Sequence, residues 1–381
     1  MRCVIAGGGT GGHLFPGMAI AEAFMAREMG NEALFIGTER GIEARVLAGG
    51  RFPLKMIHAM PIKGRSLTGK LKALFALPKA VAEALAILKE FQPQLVLGVG
   101  GYASGPAVLA ASLLRMKRAI HEQNVIPGMT NRILKRFSQR IFVSFEETKK
   151  YFPGRKTVVT GNPIRKEITV SGPSRERVDR FTLLIFGGSA GAHRINAAMM
   201  EALVPLQDLR SSLRLIHQTG KEDLGLVSRG YEEKGFDAEV MPFIDEMARC
   251  YRRADLVICR SGASTVAELA VCGKASILIP YPYAAHNHQW MNAKRLVDLG
   301  AARMILDEEL NGLSLSETIR NLYHYPEERE RMEEAIRRIG RPRAAEEIVE
   351  QCYELVGASF PPHLHPPPSR GRGFLKGESC K

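Results

Sequence analysis

Two stretches of this chain, VIAGGGTGGH at residues 4–13 and LLIFGGSAGAH at residues 183–193, are built alike. Each is an apolar run, then a loop of glycines and a small hydroxyl residue, then a helical segment, and the two lie about one domain length apart. A loop so bare of side chains adds little to a packed core. It lets the backbone turn tightly and lets a ligand, most often a phosphate group, approach main-chain N–H groups at the positive end of a helix. Residues 7–12 match G-x-G-x-x-G, and Glu39 lies near the end of the second strand segment, so a dinucleotide site is one reading. The second loop breaks that pattern, because Ser189 stands where its second glycine would be. A ligand clasped by two domains suits a pair of loops better; the plain alternative is that the glycines serve only tight turns.

The rest of the chain repeats this alternation. Strand segments are expected at 2–6, 33–37, 94–99, 118–121, 140–143 and 156–160, and again at 181–186, 213–217, 238–242, 255–259 and 275–279. Helical patterns intervene, among them 16–29, with Pro16 in its first turn and Gly30 as its stop. This predicts an α/β chain of two Rossmann-like domains with parallel sheets facing across a cleft. The first domain is expected over 1–162 and the second over 163–340. A helix over 341–357 is expected to pack back on the first domain. TGNPIRKEITVSGPSRERVDR reads as the linker, and the Pro-, Gly- and Arg-rich tail over 358–381 is expected to be disordered.

Composition narrows the function. No apolar run is long enough for a membrane span, and the start MRCVIAGGG carries no secretory signal. The six cysteines are scattered without CxxC spacing, so free thiols in a reducing cytoplasm are expected. The formal charge of +13 calls for anionic partners, but aromatics are 7% and no nucleic-acid module is recognisable, so nucleic acid is not expected. The basic residues cluster. Lys63, Arg65, Lys70, Lys72 and Lys79 are unopposed by acids over 61–80, and seven basic residues face one acid, Glu122, over 115–140.

A third unit, residues 253–296, is more specific. The strand DLVIC runs into Arg260-Ser261-Gly262, and a helix begins near Ala263-Ser264-Thr265. Small residues leave that helix end open to a diphosphate. A carboxylate one turn in, Glu268, would repel phosphate but suits two hydrogen bonds from a ribose diol; the alternative is an ordinary helix-dipole partner. His286 and His288 have no third ligand nearby, and no D-x-D pair occurs, so neither zinc nor a diphosphate-bound Mg²⁺ is expected. Neutralisation of a leaving diphosphate then falls to N–H dipoles and to Arg165 or Arg260.

In order and spacing, GGTGGHLFPG, LGVGGYASGP, HEQNVIPGMTN, GNPIR, GGSAGA, CRSGASTVAE and HQWMNA resemble the MurG family over about residues 1–350. These are the undecaprenyldiphospho-muramoylpentapeptide β-N-acetylglucosaminyltransferases. The resemblance implies a glycosyltransferase-B fold, with acceptor and membrane on the first domain and UDP-GlcNAc on the second. It implies inverting transfer of GlcNAc from UDP-GlcNAc to the muramoyl 4-hydroxyl of lipid I, giving lipid II for peptidoglycan, with no metal and no cofactor. It implies work at the cytoplasmic face of the plasma (inner) membrane, in cell shape and division, with cell-wall synthesis proteins as candidate partners. Motif by motif, Thr10, Gly11 and Gly12 are implied in a donor-contacting loop, Asn124 on the GlcNAc, and Arg165 and Ser189 by the diphosphate. Ile244 is implied on the uracil through its backbone. Ala263, Ser264, Thr265, Val266, Ala267 and Glu268 are implied around the nucleotide, with Glu268 on the ribose, and Gln289 on sugar hydroxyls. Three features depart from the family: Ala190 where a glutamine is frequent, His286 and Asn287 where acids are frequent, and the tail.

Such a transfer needs a base for the attacking hydroxyl. His13 is the first candidate, since a helix N-terminus disfavours imidazolium and keeps the ring a neutral base. It could equally hydrogen-bond the acceptor without taking a proton. Glu122 is the second candidate, or a brace for its loop. For the lipid acceptor, Leu71, Leu74, Phe75, Val81 and Leu85 recur at helical spacing beside Lys70, Lys72 and Lys79, and Pro78 interrupts the pattern. Lys70, Lys72, Leu74, Phe75 and Lys79 are therefore expected on an anionic membrane surface; the alternative is a core-facing helix with a basic outer side.

Overall fold

The computed structural model describes residues 1–39, 41–47, 50, 52–59, 67–171, 179–188, 191–284 and 287–357. The apolar runs form two wholly parallel sheets. The first holds β1 (Arg2–Ala6), β2 (Glu32–Gly37), β3 (Leu54–Met56), β4 (Leu95–Gly98), β5 (Lys117–Glu122), β6 (Arg140–Val143) and β7 (Thr157–Val159), in the order β3-β2-β1-β4-β5-β6-β7. The second holds β8 (Phe181–Phe186), β9 (Leu213–Gln218), β10 (Asp237–Met241), β11 (Leu256–Cys259), β12 (Ser276–Leu278) and β13 (Arg303–Met304), in the order β10-β9-β8-β11-β12-β13. The chain is thus an α/β protein of two Rossmann-like domains.

Helices cover both sheets. Around the first lie α1 (Gly11–Arg27), α2 (Glu43–Val46), α3 (Leu67–Phe91), α4 (Ser104–Leu113) and α5 (Met129–Leu134). Then come α6 (Lys166–Ser171), α7 (His193–Ala202), α8 (Leu224–Lys234), α9 (Met247–Arg253), α10 (Ala263–Cys272), α11 (His288–Asp298), α12 (Gly312–His324), α13 (Pro326–Arg337) and α14 (Ala344–Val356). Strands buried on both faces have no polar side to show, which is why they read as continuous apolar runs. Ile5 and Leu97 pack with Phe24 of α1 on one face, and Val4 and Val96 with Ala84 and Leu88 of α3 on the other. The last helix returns to the first domain. Ile348, Val349, Cys352 and Tyr353 of α14 join the cluster around Phe24, and Asn31 donates to the Tyr353 hydroxyl at 2.8 Å.

Four local expectations are corrected. Helix α1 starts at Gly11, because the Thr10 carbonyl already accepts from the His13 and Leu14 N–H groups at 3.2 and 3.1 Å. Pro16 therefore sits in its second turn. Pro78 does not break α3, which runs through it. Val81 and Leu85 of that helix pack against the core beside Ala84 and Leu88, so they are not part of an outward apolar patch. The segment read as a linker carries a helix of its own, α6. Edge strands β3 and β13 escaped the sequence reading, since Leu-Lys-Met and Arg-Met show no apolar run. The tail from 358 lies outside the described residues.

One buried polar cluster makes stability depend on pH. His217 of β9 is fully buried, with Nδ1 2.8 Å from the Tyr231 hydroxyl and Nε2 3.1 Å from Asn196 Oδ1. Desolvation pushes its pKa down to about 3, against a smaller upward pull from Asp223. The unfolded chain then binds a proton, near pH 6.5, that the folded chain refuses, so stability is full above that pH and is lost on acidification towards 3. Between pH 7 and pH 5 the wild type should lose about 2 kcal/mol more than His217→Gln. Urea denaturation at the two pH values checks this, and equal losses count against it.

Candidate active site at the seam of the two sheets

In each sheet the strand order reverses beside the first strand, between β1 and β4 and between β8 and β11. Crevices open at the carboxyl ends of strands at such points. The loops that leave β1, β4 and β11 are the glycine- and serine-containing stretches at 7–10, 99–103 and 260–262, and β8 runs into Gly187-Gly188. The topology therefore collects these loops at two switch points.

The first loop is built around an internal anion. Glu43 of α2 is buried, and its carboxylate accepts from Gly9 N–H at 2.7 Å, Thr38 N–H at 2.8 Å and the Thr38 hydroxyl at 3.1 Å. A Cβ at Gly8 would collide with that carboxylate, which is why this turn is glycine. The Gly9 N–H is thus committed within the protein. Glu39, the acid singled out from the sequence, is exposed. Thr10 is the N-cap of α1 without a side-chain capping bond, and Thr10 and Gly12 are exposed where the helix begins.

His13 follows in the first turn of α1. A Cβ on Gly100, whose φ is +90°, would sit 2.7 Å from its Nδ1, so the bare backbone of the second loop makes room for this ring. Desolvation lowers the His13 pKa, while Gln123, the Val99 carbonyl and the Glu43 charge pull it back up. The HEQN motif ends β5 and turns towards the seam. Glu122 is buried, and its oxygens accept from Asn131 Nδ2 at 2.8 Å, Gly128 N–H and Asn124 N–H at 3.1 Å each, and Asn124 Nδ2 at 3.4 Å. Burial raises its pKa against these donors. So placed it braces the loop, and this geometry gives no support to a proton-accepting role.

Across the seam, Asn292 of α11 ties the domains. It is fully buried. Its Nδ2 donates to the Ser261 carbonyl at 3.1 Å and to Asn124 Oδ1 at 3.5 Å, and its Oδ1 accepts from Val125 N–H at 3.4 Å. Arg295 on the same helix bridges to Glu147 at 2.9 Å and lies over the Phe145 ring. On the chain segment that crosses between the sheets, Asn162 donates to Ser264 at 3.5 Å and Arg165 pairs with Glu268 at 3.2 Å. Tyr251 donates to the other Glu268 oxygen at 3.0 Å. Both oxygens expected on a ribose are therefore held by an arginine and a tyrosine.

Three further expectations meet different surroundings. Arg260 is buried, pairs with Asp307 at 2.6 Å and donates to the Ile279 and Pro280 carbonyls, so it is committed inside its own domain and is not the cation for a diphosphate. The Ile244 N–H donates to Gln218 Oε1 at 2.9 Å, which leaves the Ile244 carbonyl as the backbone group for a base. Gln289 Oε1 accepts from Tyr281 N–H at 3.0 Å. Ala263, Ser264, Thr265, Val266 and Ala267 form the first turns of α10, with Gly262 as N-cap. Ser189 lies outside the described residues, as do the side chains of Lys70, Lys72, Leu74 and Phe75; Lys79 is exposed and lies 3.9 Å from Glu83.

Sequence reasoning missed Glu43, Gln123, Tyr251 and Asn292. Asn292 and Gln123 were inside quoted motifs, and that position was their signal; Glu43 and Tyr251 had none. Among the described residues no cluster of three metal-ligating side chains occurs and no helix is long and apolar enough to cross a membrane. The seam can hold an anion against Arg165 and the α10 N-terminus, accept from diols at Glu268, and present an imidazole from the facing domain.

Comparison with known proteins places the chain in a family and agrees with its two-domain fold. The Glycosyltransferase family 28 N-terminal domain matches residues 3–143 and its C-terminal domain residues 182–348. A UDP-N-acetylglucosamine–N-acetylmuramyl-(pentapeptide) pyrophosphoryl-undecaprenol N-acetylglucosamine transferase of Myxococcus xanthus is 50% identical over 365 residues, 95% of each chain. A protein of the same name from Geotalea daltonii is 51% identical over 95% of this chain and 99% of its own. The crystal structure of Acinetobacter baumannii MurG superposes with a TM-score of 0.76 at 32% identity, covering 93% of this chain and 99% of that one. A Neisseria meningitidis UDP-GlcNAc 2-epimerase bound to UDP-GlcNAc shares the fold at 14% identity, TM-score 0.66, over 93% of this chain and 100% of its own.

If Glu43 holds the first loop, Glu43→Gln leaves one of its backbone donors facing an amide NH₂. The variant should lose about 1–3 kcal/mol of stability. Urea denaturation checks this; an unchanged midpoint removes Glu43 from that role.

Proposed function

The chain belongs to glycosyltransferase family 28 and within it to the MurG family, and on that premise we propose how its seam performs the transfer. It moves GlcNAc from UDP-GlcNAc to lipid I and forms lipid II. The first domain, over 1–162, takes the acceptor; the second, over 163–340, takes the donor. The observation that carries this assignment is the facing arrangement itself: His13 and Asn124 on one side, Arg165, Glu268 and the α10 N-terminus on the other.

The uracil meets the Ile244 carbonyl, and the ribose diol donates to Glu268. Arg165 must then leave Glu268, and the diphosphate is the anion that takes it up. Thr10, Gly11 and Gly12 line the donor from the facing loop, Asn124 and Gln289 hold GlcNAc hydroxyls, and Ser189 joins the diphosphate. The muramoyl 4-hydroxyl attacks the anomeric carbon from the face opposite UDP. Its oxygen forms the new C–O bond as the bond to the β-phosphate oxygen breaks, and its proton passes to His13. The pair of electrons leaves with UDP, whose added charge meets Arg165 and the positive helix end. This inverts the sugar carbon without a metal.

Wild-type protein should convert UDP-GlcNAc and lipid I to lipid II with EDTA present. His13→Ala should lose about 10²-fold or more in kcat. A near-normal kcat in that variant takes the base role away from His13, and a wild type that does not bind UDP-GlcNAc in calorimetry overturns the whole assignment.

The acceptor's polyprenol places the protein peripherally at the cytoplasmic membrane face. Lys79, exposed on α3, and Lys70, Lys72, Leu74 and Phe75 of the same helix are the proposed contact. Reversing Lys70, Lys72 and Lys79 to Glu should weaken binding to anionic vesicles in co-sedimentation by about 100-fold or more, at about 1 kcal/mol per basic residue. Sedimentation equal to wild type excludes this patch.

A further inference from the structure

Gln123 lies between two histidines of the first domain, and the donors and acceptors around it admit one arrangement. Its Nε2 is 2.8 Å from the Val99 carbonyl oxygen, which can only accept, so the amide NH₂ faces Val99. The same Nε2 is 3.1 Å from His121 Nδ1. The other nitrogen of His121, Nε2, is 3.3 Å from the Gly161 carbonyl oxygen, again an acceptor only, so His121 carries its proton there and accepts from Gln123 at Nδ1. With both amide hydrogens spent, Gln123 Oε1 faces His13 Nδ1 at 3.2 Å and can only accept from it.

We propose that Gln123 is a positioning residue that holds His13 as the Nδ1–H tautomer, leaving Nε2 as the nitrogen that takes the acceptor proton. The inference rests on His13 being the base. The chain of bonds runs one way, from His13 through Gln123 and His121 to Gly161, at the start of the segment that crosses to the second domain. Every ring in it is neutral. Burial supports this, since it drives the His121 pKa down to about 4 and lowers that of His13. Among the described charged groups, Glu43 pulls a proton towards His13, while a charge on His13 and one on His121 oppose each other. A glutamine suits the middle position because it accepts on one side and donates on the other without adding a charge.

Long-range ¹H–¹⁵N spectra of wild-type protein with ¹⁵N-labelled histidine read the tautomer directly; at pH 8 His13 should be protonated at Nδ1, and a proton on Nε2 overturns the proposal. In steady-state assays, Gln123→Leu should lower kcat about ten-fold or more while the UDP-GlcNAc KM stays within about two-fold. Gln123→Glu keeps an acceptor opposite Nδ1 but adds a negative charge, so it should shift the acidic limb of the kcat–pH profile up by about one unit. A wild-type kcat in Gln123→Leu together with an unmoved limb in Gln123→Glu overturns the proposal. If either variant fails to fold, the wild-type spectrum decides alone. The double variant His13→Ala, Gln123→Leu should be no slower than His13→Ala. A fast His13→Ala enzyme with His13 still protonated at Nδ1 rejects the base and keeps the tautomer assignment, so the two failures are separable.

Discussion

The geometry at the seam depends on one buried carboxylate. Glu43 gathers the Gly9 N–H, the Thr38 N–H and the Thr38 hydroxyl, and this fixes where the first loop ends and α1 begins. A buried anion persists only with several donors around it, and here the loop supplies them. The position of α1 sets that of His13, whose ring fits only because the β4 loop has Gly100 under it. The glycines of residues 7–12 thus serve different ends: Gly8 admits Glu43 beneath the loop, Gly7 admits the Gly100 carbonyl, and Gly11 and Gly12 stand at the open helix end.

The second domain repeats the strand–loop–helix plan with a different anchor. There Gln218 performs the bracing, accepting from the Ile244 N–H and donating to the Gly188 carbonyl at 2.7 Å. A neutral amide serves in place of a carboxylate. The difference suits the proposed binding of a diphosphate beside this loop, where a nearby fixed negative charge would oppose the ligand. Glu268 is the exception, and its charge is neutralised by Arg165 with Tyr251 on its second oxygen. The ion pair makes the carboxylate tolerable in a largely buried place. It also holds Arg165, on the segment between the sheets, beside α10.

Both sheets, their parallel pairing and the two-domain plan were legible, because strands buried on both faces must be apolar and glycine loops punctuate them. β3 and β13 were not, since short edge strands need little apolar surface. The start of α1 was misjudged because glycine and proline both argue against helix, yet Gly11 and Gly12 occupy the first turn, where few intrahelical bonds are made. At the site, His13, Asn124, Arg165, Glu268 and Gln289 could be named from motifs. Their partners could not. Nothing in the spacing of Glu43 to Gly9, or of Tyr251 to Glu268, says that the fold brings them together, and Arg260 looked available because its mate, Asp307, lies 47 residues away.

The two buried carboxylates of the first domain bear on the proposal that a histidine, and not an acid, receives the proton there. Glu43 and Glu122 are both buried there, and the oxygens of each accept hydrogen bonds from loop backbone and side-chain donors. His13 is placed differently: one nitrogen is bonded to a neutral amide, and burial opposes charge on the ring. In the proposed reaction such a group is uncharged beforehand and gains a proton as the alcohol loses it. In the proposed reaction the acids of this domain hold the backbone, the amide of Gln123 sets direction, and the imidazole of His13 is the group whose protonation state changes during turnover.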